Sequence, residues 1–132
     1  MIQRIQSLFF AFSTISLIVI IYYYPIIKNL NNGEGYLLSQ NFIIVRSFIL
    51  MSATLSFIGI FMFNNRKRQR LISVFARLMI TIAILLILFV YKKDDVIDLG
   101  SLLLIIPFSS LILANYFIRK DEKLIKSVDR IR

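Results

Sequence analysis

This chain contains no cysteine and no histidine. The first absence excludes disulfides, thiolate metal sites and thiol redox chemistry. The second excludes any Ser-His catalytic pair, however plentiful the serines. Acids are scarce as well, with 7 Asp and Glu against 16 Lys and Arg and a net charge of +9. None of those acids lies in the four long apolar runs, Ile5–Ile27, Phe42–Phe63, Leu71–Tyr91 and Leu102–Ile118, and no lysine does either. Four-helix exporters that exchange protons for cationic drugs need an embedded carboxylate. Quinone-linked disulfide oxidases need cysteine pairs. Intramembrane metalloproteases need His and carboxylate ligands, and lipid-headgroup transferases need clustered acids for a divalent metal. A Ser-Lys arrangement would have no lysine at membrane depth. The expectation is a non-enzymatic chain with no cofactor, no catalytic residue and no metal site.

What is present is apolar length. The chain is 58% hydrophobic and 17% charged, with a mean hydropathy of +0.80. Too little polar sequence remains to cover a water-soluble globule. A spanning helix needs ~20 apolar residues to cross ~30 Å of hydrocarbon. The runs contain 23, 22, 21 and 17 residues. The fourth reaches that length only if extended outward to Val96, which takes Asp98 to the membrane edge. The connections are too short to fold alone, and short connections make neighbouring helices antiparallel. Residues 1–132 therefore read as one all-α integral membrane domain, an up-down-up-down bundle of four transmembrane helices. Strands are not expected, because an open sheet leaves its backbone unsatisfied in lipid. The runs are also too long for barrel strands.

The charges set an orientation. Arg4, Arg66, Lys67, Arg68, Arg70, Arg119, Lys120, Lys123, Lys126, Arg130 and Arg132 fall on one side, with Arg77 near the same boundary. Lys28, Arg46, Lys92 and Lys93 fall on the other. The positive-inside rule then puts both termini in the cytoplasm. The basic excess reads as an orientation signal and an attraction for anionic lipid headgroups, not as a nucleic-acid surface. The first run is too long for a signal-peptide core, has no small-residue cleavage site, and ends in Tyr22-Tyr23-Tyr24-Pro25. That motif reads as an aromatic belt followed by a helix stop, so the run is expected to be retained.

The first outer connection, with Asn29, Asn31, Asn32, Gly33 and Gly35, carries turn chemistry, and Ser39 or Asn41 is placed to cap the second helix. In the tail, residues 119–132, Leu124, Ile125, Val128 and Ile131 form one helical stripe. Arg119–Glu122 and Glu122–Lys126 stand at pairing distances along it. The tail reads as an amphipathic cytoplasmic helix, either a continuation of the fourth span or a separate segment on the inner leaflet. Arg66, Lys67, Arg68, Arg70, Lys120, Lys123, Lys126 and Arg130 are then the candidate contacts to headgroups or to a partner.

Two ionisable groups fall at membrane depth, Arg46 and Arg77. Each is close enough to its boundary to snorkel. By depth, Arg46 is expected to approach Asp98 (or Asp94 and Asp95), and Arg77 to meet Asn115. Bracing of the bundle is the plain reading of both arginines, and an anion or headgroup site the sharper one. Ser52, Ser56 and Gly59 make a small-residue face that lets another helix approach closely, a candidate surface for a membrane-protein partner or for self-association. Pro107 with Ser109 and Ser110 marks a kink site in the fourth run.

The two ends and the basic loop carry a resemblance. Met1-Ile2-Gln3-Arg4-Ile5-Gln6-Ser7-Leu8, Asn65-Arg66-Lys67-Arg68-Gln69-Arg70 and Leu113-Ala114-Asn115, the last continuing from Arg119 to Arg132, resemble a bacterial family of small four-span membrane proteins. That family is catalogued as domain of unknown function 4293. The resemblance implies a bacterial cytoplasmic membrane and supports the four-span count. It brings no activity and no functional residue. The reading that follows is a structural or accessory membrane subunit. Its rival is a small oligomeric channel or transporter, which a hydrated cavity joining hydroxyls to Arg46 or Arg77 would favour.

Overall fold

The computed structural model describes residues 3–29, 33–38, 42–90 and 95–129. Four long helices dominate it: α1 (Gln3–Tyr23), α2 (Ile43–Phe61), α3 (Arg66–Val90) and α5 (Ile105–Asp129), with a single-turn helix α4 (Leu99–Leu103) leading into the last. All four are long and apolar enough to cross a membrane. Three short strands, β1 (Pro25–Asn29), β2 (Gly35–Leu37) and β3 (Asp95–Ile97), occupy the two connections at one end of the bundle. We call this the strand end, and the opposite one, where α1 begins and α5 finishes, the terminal end.

The strands correct the expectation of a strand-free chain. They form an antiparallel sheet of order β2-β1-β3, with Ile27 paired to both Tyr36 and Ile97. The lipid argument against sheets applies to apolar spans, and this sheet lies in the connections beyond the helix ends. Its position follows from Pro25, whose ring disfavours helical geometry at Tyr24. The last helical bond of α1 is Tyr24 N–H to the Ile20 carbonyl, so the helix stops four residues before the end of the apolar run.

The other boundaries also shift. Helix α2 starts after Phe42, which sits in the left-handed region with φ 57° and makes no side-chain cap. The suggested caps Ser39 and Asn41 lie outside the described residues. Helix α3 begins at Arg66, inside the basic cluster, with the Asn65 side chain accepting from Arg68 N–H at 3.4 Å. The break in the fourth run falls at Leu104, upstream of the expected site. Pro107 has no N–H for the Leu103 carbonyl, and its ring crowds that carbonyl, so α4 ends there. The Ser109 and Ser110 hydroxyls bond the Ile106 and Pro107 carbonyls instead.

Each long helix packs on its chain neighbour, and α5 closes the ring against α1 and α3. Glycine permits two of the closest approaches. A Cβ on Gly100 would stand 2.4 Å from the Pro25 carbonyl oxygen, so α4 lies directly on β1. One on Gly59 would stand 2.7 Å from the Phe10 ring, where α2 meets α1. The small-residue face of α2 is thus spent within the chain: Ser52, Ser56 and Gly59 are buried, and Ser52 bonds the Ala76 carbonyl of α3 at 2.9 Å. The core is divided along its length. Towards the strand end it is aliphatic, with Leu17, Ile21, Ile49, Ile80, Ala83 and Leu104 all buried. Towards the terminal end it holds Gln6, Ser13, Ser56, Gln69, Ser73, Asn115 and Asp121, buried as well.

Candidate functional site

The polar groups gather at the terminal end, where the first turns of α1 and α3 meet the last third of α5. The buried Gln6 amide donates to the buried Asp121 carboxylate, joining α1 to α5. Arg70 reaches Glu122 at 3.0 Å, joining α3 to α5. Gln69 is fully buried and donates to the Gly59 carbonyl at 3.0 Å, which closes α2 onto α3. Ser73 donates to the Leu111 carbonyl at 3.1 Å. Among the described residues, every helix seam at this end except α1–α2 carries a side-chain hydrogen bond, and α1–α2 has Gly59 against Phe10.

These contacts differ in strength. The Arg70–Glu122 pair keeps side-chain exposures of 39% and 20%. Screening by solvent leaves such a pair worth roughly 0.2–1 kcal/mol. The Gln6–Asp121 bond has no such screening, since both residues are nearly inaccessible. Hydrogen bonds to charged groups contribute roughly 1.5–3 kcal/mol, and stranding one buried partner costs as much or more. Asp121 is therefore the more sensitive of the two acids.

Several buried atoms have no partner among the described residues: Ser13 Oγ, Ser56 Oγ, Gln69 Oε1, Asn115 Oδ1, Asp121 Oδ1, Glu122 Oε1 and Arg66 Nη1. In an apolar medium each unmet group costs about 1–3 kcal/mol. All of them lie in the terminal half or at its rim.

Of the two expected arginine contacts, the structure overturns the one between Arg77 and Asn115. Arg77 does not meet Asn115, whose Oδ1 is one of the unpartnered atoms. Instead its Nε lies 3.4 Å from the Ser73 carbonyl, four residues back, so the side chain folds along its own helix towards the terminal end. That is the direction snorkelling requires. Asp98 serves the helix that follows it. Its Oδ1 accepts from Leu99 N–H at 2.7 Å and caps α4, and its backbone N–H bonds the Ile26 carbonyl of β1. Arg46 sits in the first turn of α2, half-buried; Asp94 and the Asp95 side chain lie outside the described residues.

Of the candidate headgroup contacts, Lys67, Arg68, Lys120 and Lys123 are exposed at the terminal end, Arg66 is half-buried, and Arg70 is taken by Glu122. Glu122 thus pairs across to α3 and not with Arg119. The Lys126 side chain and Arg130 lie outside the described residues. Helix α5 runs from Ile105 to Asp129 without a break, so no separate tail helix forms. Leu124 and Ile125 are exposed on it.

Gln6, Gln69 and Asp121 were not anticipated. Their signal was periodicity: Gln6 continues the buried positions Phe10, Ser13 and Leu17, and Asp121 continues Leu111, Ala114 and Ile118. Two grooves among the described residues towards the strand end are mostly apolar. One of about 170 Å³ lies between α3 and α4–α5, lined by Ile84, Ile87, Leu88, Ile97, Ser101 and Leu102 among others, none of them ionisable. Among the described residues no three acids gather as a metal-holding group.

A ring of four span-length helices, tied by polar groups at one end and capped by a small sheet at the other, defines a four-helix bundle of membrane-protein character. The chain belongs to the family described as domain of unknown function DUF4293, whose profile matches residues 2–131. No curated protein and no solved structure matches the chain significantly.

Proposed function

We propose that this protein spans a bacterial cytoplasmic membrane four times, with both termini in the cytoplasm, and acts as a non-enzymatic structural or accessory subunit. Large apolar side chains face outward along every long helix, among them Leu8, Phe12, Ile15, Phe57, Phe75, Leu85, Phe89 and Leu113. Such a belt is unfavourable in water and suited to lipid. The exposed Lys67, Arg68, Lys120 and Lys123 share one end with both termini, where anionic headgroups attract them.

The observation that carries the accessory role is the strand half of the core. Leu17, Ile49, Ile80, Ala83 and Leu104 are each 0% exposed, so one bundle offers no polar path from face to face. Apolar packing of this kind, with no catalytic constellation among the described residues, supports a role carried by the surfaces. Gentle detergent extraction followed by native mass spectrometry tests this. A stoichiometric complex with a different membrane protein supports the accessory role. A homo-oligomer that conducts ions or solute in planar bilayers overturns it in favour of the channel reading.

A further inference from the structure

Five of the unpartnered atoms, Ser13 Oγ, Ser56 Oγ, Gln69 Oε1, Asn115 Oδ1 and Asp121 Oδ1, come from all four long helices. Their residues are 0, 0, 0, 6 and 4% exposed. The contacts between helices set their depths. Phe10 faces Gly59 across α1–α2, and antiparallel packing then brings Ser13 level with Ser56. Gly59 holds Gln69 across α2–α3, which places Ser56 beside Ser73. Gln6 meets Asp121 and Phe9 stacks on Phe117 across α1–α5, so Ser13 lies level with Leu113 and Ala114, within about 3 Å of helix rise of Asn115.

The atoms therefore step inward from the terminal end. Asp121 stands at the level of Gln6, Gln69 at that of Phe10, and Ser13, Ser56 and Asn115 share a layer beyond. At ~1.5 Å per residue the steps are roughly 6 Å and 4.5 Å. Two groups bridged by one water lie about 5–6 Å apart, twice a hydroxyl hydrogen-bond length. Beyond the Ser13 layer the buried hydroxyls of Thr14 and Ser52 are already bonded to backbone carbonyls, and the core turns aliphatic.

We propose that the terminal half of the bundle binds a blind file of water molecules, entered past the Gln6–Asp121 pair and ending at the layer of Ser13, Ser56 and Asn115. The occupant is identified by its chemistry. Hydroxyls and side-chain amides both donate and accept, and a buried water satisfies about three such groups. A metal cation at the Ser13 layer would carry a charge with no carboxylate beside it, since Asp121 is about 10 Å away along the helix axis. The file leaves only the strand half as a dry barrier, and Asp121 is the ionisable group at its mouth. This holds whichever of the two functional roles the chain fills.

The lack of native cysteine makes the test direct. Ser13→Cys and Ser56→Cys exchange oxygen for sulfur with little change of shape, while Leu17→Cys and Ala83→Cys report the dry half. The full chain, reconstituted in vesicles, is exposed to silver ion from the side bearing the termini, and the thiols left free are counted with maleimide after denaturation. The file requires Ser13→Cys and Ser56→Cys to react at least tenfold faster than the two controls. Equal rates at all four positions, or no reaction at any, overturn it. A second measurement on the unaltered protein guards against misfolded variants. Water-edited NMR transfer must reach the Asn115 side-chain amide and the Ser13 and Ser56 amides ahead of Leu17, Ile49 and Ile80. Transfer no faster to the first group than to the second rejects the proposal.

Discussion

Replacing Gly100 with alanine tests how the strand cap is held to the bundle. The added Cβ would lie 2.4 Å from the Pro25 carbonyl oxygen, 2.9 Å from the Pro25 carbonyl carbon and 2.9 Å from the Tyr24 carbonyl oxygen. Ordinary contact begins at 3.4 Å. All three neighbours are backbone, so none can rotate away, and α4 must part from β1 by about an ångström to admit one methyl group. Overpacking of this kind costs ~1–3 kcal/mol. Helix propensity acts in the opposite direction, since Ala is favoured over Gly in a helix by about 1 kcal/mol. The net expected loss is thus ~0–2 kcal/mol, its size set by how far α4 can part from β1. It would be read as a lower midpoint in SDS titration of the protein in mild micelles, followed by circular dichroism.

Two companion substitutions give the result its meaning. Gly33→Ala meets nothing within 4 Å but sits at φ +67°, so it probes backbone strain without a clash. Left-handed geometry costs a non-glycine residue ~1–2 kcal/mol, less where the local chain relaxes. Gly59→Ala drives its Cβ to 2.7 Å from the Phe10 ring, a side chain but one that is fully buried. If the sheet and α4 open as a unit separate from the bundle, Gly100→Ala leaves the midpoint unchanged and accelerates amide exchange in β1 and α4. A Gly100→Ala protein with both the midpoint and the exchange of the native chain would refute the packing argument.

Reporter fusions after Asn32 and Asp95 are expected to read outside the cytoplasm, and fusions after Gln69 and Arg132 inside. A C-terminus exposed outside would overturn the orientation. Gln6→Leu should destabilise the bundle by about 1.5–3 kcal/mol or more by stranding the buried Asp121 carboxylate, and the double variant with Asp121→Leu should recover most of the loss. A double-mutant cycle in detergent checks this, and additive losses would show that the two side chains do not interact. A peptide of Arg119–Arg132 should bind anionic vesicles, leave neutral ones largely unbound, and gain helicity on binding, each cation near the surface contributing ~1 kcal/mol. Equal binding to both vesicle types, measured by co-sedimentation, would remove the headgroup role from the tail.

The spans were legible because their length and hydropathy leave few alternatives, and Pro25 announced the first helix end. The sheet was not. Its strands are five, three and three residues long, too short for alternation to be seen. The Asn and Gly residues beside them read as loop. Lipid excludes open sheets, but connections beyond the helix ends are under no such constraint. Asp121 was hidden for another reason. Sorting charges by side assigns it to a solvated tail, whereas the helical stripe through Leu111, Ala114 and Ile118 points it at α1. Asn115 and Arg77 were matched by depth alone. Depth fixes neither the face of a helix nor the direction in which a long side chain turns.

The same geometry explains how a carboxylate comes to be buried beside an array of cations. Helices α3 and α5 have 25 residues each, roughly 37 Å at the usual rise, against ~30 Å of hydrocarbon. In the proposed orientation the excess projects on the terminal side, because the strands hold the other ends together. Arg66 to Arg70 and the last turns of α5 then lie at headgroup level or beyond, where exposed lysines and arginines have water and phosphate for company. Asp121 lies at the same height, and its burial is the work of α1, whose Gln6 covers it, not of lipid. A carboxylate screened by protein but close to water has a low-cost route to a hydrogen-bond donor. The deeper Ser13, Ser56 and Asn115 have that route only through molecules small enough to pass it.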